Sequence, residues 1–213
     1  MGDINFEIGS ATVLGPLLAV YCLLLAVRAA RGRPGWAGKR AVTRLAGAFY
    51  LAGVLSLTVF PVVVTYGTYA NQVPWYELVQ PVPLLVVDLS FVPNVVMLVP
   101  FGMLLPLISR QGSSLKRATV QAALLSLSIE VTQCLMYVLF NNGRSVDVND
   151  LVANTLGGAL GYLAVRTVLR SRAAADELRA FALPGSAAAP DTVGCRVESA
   201  PGRLPGAGGP VPL

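Results

Sequence analysis

The segment Asn141–Val165, "NNGRSVDVNDLVANTLGGALGYLAV", carries Arg144, Asp147 and Asp150 at every third position and then runs into apolar, glycine-rich chain. An arginine, two aspartates and Asn154 entering sequence of this kind need an explanation. Part of it is local. Asp147 is placed as an N-cap, with Asp150 in the first turn, where anionic side chains suit the positive end of a helix. Arg144 can pair with either aspartate. Capping and pairing leave Asn154, four residues after Asp150, without a role.

The rest of the chain says which solvent this segment meets. Of 213 residues, 54% are hydrophobic and only 13% charged. Soluble domains are close to a quarter charged, so this composition belongs to a membrane protein. Five windows approach the length of a membrane-spanning helix: Ala11–Val27, Leu45–Tyr66, Phe91–Ile108, Ala118–Phe140 and Leu151–Leu169. The expectation is an all-α membrane protein, a bundle of about five transmembrane helices filling residues 1–172. The first window has Asp3 and Glu7 before it and Arg28, Arg31 and Arg33 after it. That order reverses a secretory signal and predicts an uncleaved helix.

Basic residues orient the bundle. The loop after the first helix holds Arg28, Arg31, Arg33, Lys39, Arg40 and Arg44, and the loop after the third holds Arg110, Lys116 and Arg117. Arg166, Arg170, Arg172, Arg179, Arg196 and Arg203 follow at or beyond the end of the fifth. Arg144 alone falls on the other side, with Asp3, Glu7, Glu77, Asp88, Asp147 and Asp150. Positive charge marks the cytoplasmic face, so the N-terminus is expected outside and the C-terminus in the cytoplasm. Topology and anionic inner-leaflet lipid account for these charges, and nucleic acid is not an expected partner. Tyr66, Tyr69, Trp75 and Tyr76 gather where the second helix meets the outer interface, and Trp36 suits the inner one. The long connection Gly67–Ser90, with Pro74, Pro81 and Pro83, suits a packed cap or a re-entrant segment. From about Ala173 to Leu213 the chain is Ala, Gly and Pro rich and reads as a disordered cytoplasmic tail.

Chemistry is restricted by what the chain lacks. There is no histidine, and Cys22, Cys134 and Cys195 are scattered. Zinc-type spacing, a Cys/His pair, a phosphate-binding loop and a hydrolase elbow are all missing, so catalysis would rest on carboxylates. Glu130 stands near the middle of the fourth helix, with Gln133 on the same face. A charged side chain at the bilayer centre costs roughly 2.5–3.5 kcal/mol, so it faces protein or water, as a binding or proton-handling group or as a polar clamp between helices. Asn94 sits just inside the third helix, between Pro93 and Pro100, and Phe101 follows it by one heptad. Gly157, Gly158 and Gly161 extend the face of Asn154, and close helix packing is their simplest role. At a rise of about 1.5 Å per residue, Asn94, Gln133 and Asn154 lie roughly 5–11 Å inside the outer boundary and Glu130 about 15 Å below its helix end. Asp88, Arg144, Asp147 and Asp150 then ring the outer mouth of a polar, outward-opening cavity.

"PNVVMLVPFGMLLPL", "IEVTQ" and "GRSVDVNDLVANTLGGALGYL" resemble, in order, the motifs of the VanZ-like family. The matching residues are Asn94, Pro100, Phe101, Gly102, Glu130, Gln133, Arg144, Asp147, Asp150, Asn154, Gly157 and Gly161, within Asp88–Val168. The resemblance implies a bacterial cytoplasmic-membrane protein of the cell envelope. It also implies an association with resistance to teicoplanin, a lipid-tailed glycopeptide. Two functions fit these residues. In one, the cavity of Asn94, Glu130, Gln133, Arg144, Asp147, Asp150 and Asn154 binds a membrane lipid, a lipid-tailed antibiotic or a lipid-linked cell-wall precursor without catalysis. In the other, Glu130 is the acid/base of a membrane enzyme acting on an outer-leaflet lipid-linked substrate, with Asp147 and Asp150 as further catalytic candidates or holding a hard divalent cation such as Mg²⁺. A transporter fits less well, because no internal repeat divides the chain into two halves.

Overall fold

The computed structural model describes residues 3–70, 73–80, 91–142 and 146–189. Long helices dominate: α1 (Ser10–Ala30), α2 (Lys39–Thr58), α3 (Phe91–Ile108), α4 (Leu115–Phe140) and α5 (Val148–Val168), followed by the short α6 (Arg172–Phe181). By length and apolarity α1, α2, α3 and α4 can each cross a membrane. α5 has the length but is not among them, because Asn149, Asp150, Asn154, Thr155 and its glycines dilute its hydropathy. Large apolar side chains such as Leu17, Leu23, Leu57, Val96 and Leu135 stand more than half exposed on the bundle surface, as lipid-facing residues do.

The second apolar window is divided. α2 stops at Thr58, and Val62–Tyr66 forms a strand, β2, paired antiparallel with β1 (Ile4–Ile8). Hydropathy alone joined the two pieces, but Pro61 cannot donate a helix hydrogen bond, and the β-branched run Val62–Val63–Val64–Thr65 favours an extended chain. Two-residue strands β3 (Val79–Gln80) and β4 (Val146–Asp147) pair in parallel. Asn141 Nδ2 donates to Thr65 O at 3.1 Å, the Tyr66 hydroxyl donates to Leu139 O and the Tyr137 hydroxyl to Val73 O. These elements form a packed cap over the end of α4. The opposite end of the bundle carries Arg28, Lys39, Arg44, Arg110 and Arg117 and is its basic end.

At the basic end, residues 173–181 of the expected tail belong to α6 and residues 182–189 to the turn after it, while residues 190–213 lie outside the described ones. α6 joins α2 through an ion pair of Lys39 with Glu177, and Thr43 Oγ1 donates to Phe181 O at 2.7 Å. The turn after α6 supplies N–H groups to carbonyls that end α3: Leu183 N to Leu107 O at 2.7 Å, Ala188 N to Pro106 O at 3.0 Å and Ala187 N to Ser109 O at 3.2 Å. The last carbonyls of a helix have no partner within it, so a segment of small residues that can lie close enough to supply N–H groups acts as an external cap. A composition rich in Ala and Gly hid this docking from a hydrophobicity reading.

The core lies between α3, α4 and α5. α3 and α5 run parallel, and Gly157 and Gly161 of α5 bring its backbone against Val95 O and Val99 O. A Cβ on either glycine would fall 2.0 Å from that oxygen, so only glycine permits the approach. α4 runs antiparallel to α5, with Ala122 against Gly158 and Ala118 against Tyr162. All four of these residues are buried.

Candidate functional site

The α4–α5 contact continues toward the cap in steps of four residues and turns polar as it does so. After Ala118–Tyr162 and Ala122–Gly158 comes Ser126, whose Oγ accepts a hydrogen bond from Asn154 Nδ2 at 3.0 Å. Both residues are essentially inaccessible, at 0% and 1% exposure. The next step places Glu130 opposite Asp150, and the Glu130 carboxylate accepts from the backbone N–H of Asp147 at 3.2 Å. Glu130 is buried, at 5% exposure, while Asp147 and Asp150 are half-buried. Three carboxylates thus converge where α5 begins.

Asp147 is the N-cap of α5, as its position predicts. Its Oδ1 accepts from Asn149 N at 2.8 Å, and its Oδ2 is 3.4 Å from Asn149 Nδ2. The aspartate therefore caps through its side chain while its own N–H serves Glu130. This geometry corrects the depth expected of Asp147. Placing it at the mouth, well above Glu130, assumes that α5 starts where α4 ends. Instead α4 closes at Asn141 in the left-handed conformation, and Asp147 N, one residue before α5, already reaches the Glu130 carboxylate. Glu130 lies ten residues, or about 15 Å, below Phe140, and α5 starts at that depth.

The other expected site residues disperse. Gln133 faces α2, where its Nε2 donates to Thr58 O at 3.1 Å, close to the point at which that helix ends. Asn94 is half-buried near the start of α3 and makes no side-chain hydrogen bond among the described residues. Asp88 and Arg144 lie outside the described residues. Sequence reasoning missed Ser126, which lies four residues before Glu130 and so on the same helix face. It also missed Asn142 and Asn149, both buried at the cap end. Asn154 Oδ1 and Asn142 Nδ2 have no hydrogen-bond partner among the described residues.

Among the described residues no group of three or more His, Cys, Asp or Glu is arranged to hold a metal ion. A cavity of about 590 Å³ lies elsewhere, between α1, α2 and α3, and Glu130, Asp147 and Asn154 take no part in its lining.

Chemically, the site is a buried acid held by one N–H at the head of a close-packed helix pair, with two further carboxylates beside it. Such an arrangement can receive a cationic or hydrogen-bond-donating group, or lock two helices in register. Compared with known proteins, the chain matches the VanZ/LLP1 family over residues 46–170, which spans most of α2 and all of α3, α4 and α5. No curated protein and no solved structure matches it. With more than half of its length matched and its apolar helices fitting a multi-pass membrane protein, the chain belongs to the VanZ/LLP1 family.

Proposed function

We propose that this protein works in the bacterial cytoplasmic membrane as a non-enzymatic envelope protein. It binds a lipid or lipid-tailed molecule at the cap end and thereby limits access of teicoplanin-type lipoglycopeptides. In this reading the cap lies outside and the basic end in the cytoplasm, following the distribution of Arg and Lys. The supporting observation is Glu130. It is buried between helices, receives one hydrogen bond, from Asp147 N, and has no cationic partner among the described residues. A carboxylate in that position is costly, and such residues in membrane spans mark binding or transfer sites by default. The complementary ligand group is an ammonium or another strong donor, which lipid headgroups and aminated glycopeptides both carry.

The test is Glu130→Gln. The amide keeps the size of the side chain and an acceptor for Asp147 N–H, so folding and detergent melting stay close to wild type. The charge is lost, and lipoglycopeptide susceptibility of cells carrying the variant rises to that of cells lacking the protein. Wild-type susceptibility at wild-type expression would leave Glu130 as a clamp between α4 and α5 and end this proposal.

A further inference from the structure

The cavity of about 590 Å³ between α1, α2 and α3 has a lining that is almost entirely apolar, with Leu17 and Tyr21 from α1, Leu51 and Leu55 from α2 and Leu104 from α3. Its one charged lining residue is Arg44. The space exists because α2 turns small residues toward it: Gly47, Ala48 and Ala52 line it, and a Cβ on Gly47 would meet nothing within 4 Å. From Arg44 to Leu55 the groove follows eleven residues of helix, about 16 Å. That is close to one leaflet, since the hydrocarbon core is about 30 Å thick.

Charge is confined to one end. Arg44 is fixed there, its guanidinium 3.9 Å from the centre of the Trp36 ring and its Nε donating to Gly35 O at 3.1 Å. Arg28 stacks on the same ring at 4.3 Å. Gly35 also borders a surface depression lined by Arg33 and Arg40, so the apolar groove ends beside a basic shelf. An extended hydrocarbon chain fits the length, the lining and the cavity volumes typical of ligand sites.

We infer that this groove holds one acyl chain of an anionic phospholipid from the leaflet bordering the basic end, with its phosphate on Arg40 and Arg44. The site is separate from the Glu130 cluster and does not depend on the function proposed for it. Immobilising Arg44 against Trp36 in advance removes part of the ordering cost of phosphate binding.

The full chain, placed in nanodiscs of equal phosphatidylglycerol and phosphatidylcholine and released for native mass spectrometry, tests the inference. Wild-type protein retains phosphatidylglycerol over phosphatidylcholine by about tenfold, as two arginine contacts near a membrane surface allow. Arg40→Gln lowers that preference to about twofold, and Gly47→Trp, which obstructs the groove at its middle, sharply lowers the retained lipid at unchanged melting temperature. Equal retention of both lipids, or retention unaffected by Gly47→Trp, overturns the inference. Should Gly47→Trp fail to fold, wild-type protein settles the question through a phosphatidylglycerol carrying a diazirine on its acyl chain. Cross-links concentrate on the groove segments, residues 14–21 and 47–55. Equal yields at the exposed residues Val96 and Leu135 place the lipid elsewhere and refute the site.

Discussion

A methyl group placed on Gly157 or Gly161 would lie 2.0 Å from a carbonyl oxygen of α3, whereas one on Gly15 or Gly47 would meet no atom within 4 Å. The first pair sits where α5 packs between α3 and α4; the second pair sits on α1 and α2. Burial divides the same way: eight residues of α5 are buried, but only Leu14 and Leu25 of α1. Glycine in a membrane helix therefore has two meanings in this one chain. In α5 it lets backbones touch, and the gain is dispersion and order between helices. In α1 and α2 it leaves space that lipid can fill. The family match, residues 46–170, contains the whole close-packed half together with most of α2, and excludes α1.

The largest effect should come from breaking the close-packed half. Gly161→Ala forces the α5 backbone away from Val99 O, and Met103 N at 3.0 Å blocks a small adjustment. A loss upward of about 3 kcal/mol is expected, at the severe end of single substitutions, seen as a collapse of detergent melting and of membrane yield. An alanine tolerated at wild-type stability would show that α3 and α5 are further apart in the membrane than this packing requires.

Truncation after Phe181 comes next. It removes the three N–H groups that Leu183, Ala187 and Ala188 give to Ser109 and to the end of α3. At about 0.5–1.5 kcal/mol for each bond, a loss of about 1.5–4.5 kcal/mol is expected, again read as melting. Truncation after Ala189 should be nearly silent by comparison, which separates the contribution of the docked turn from that of residues 190–213.

The close-packed half was the legible one. Asp147 as a cap, the glycines as packing residues and the burial of Glu130 all come from residue type and helix spacing. Helix spacing could also have paired Ser126 with Asn154, but a serine four residues from a glutamate is a common sight and carries no signal of its own. The features that stayed hidden depend on the chain's path. α5 begins at the level of Glu130 rather than at the end of α4, and no periodicity records where a loop leads. The docking of residues 182–189 was hidden for a related reason. It rests on backbone N–H groups, which every sequence possesses, rather than on side chains that advertise themselves.

Ser126→Ala probes the polar step of the seam. Asn154 Nδ2 loses its acceptor while its Oδ1 already has no partner among the described residues. Burying an amide with neither end paired costs about 1–3 kcal/mol. The double variant Ser126→Ala with Asn154→Leu should recover part of that loss, because both polar partners are then gone. Additive losses in the two variants would mean that Ser126 and Asn154 do not depend on one another.

The smallest effect is the sharpest for the comparison. Gly47→Ala adds a methyl group where nothing lies within 4 Å and replaces the worst helix former short of proline with the best. With no native contact to disturb, stability should hold or rise by up to about 1 kcal/mol. The same substitution at Gly161 is the one expected to be most damaging, although both residues lie well inside long apolar helices. Propensity is identical at the two sites, so the difference in melting between the two variants measures packing alone. If Gly47→Ala destabilises to a similar degree, α1 and α2 close on one another in the membrane. The groove between them would then have no room for a lipid chain.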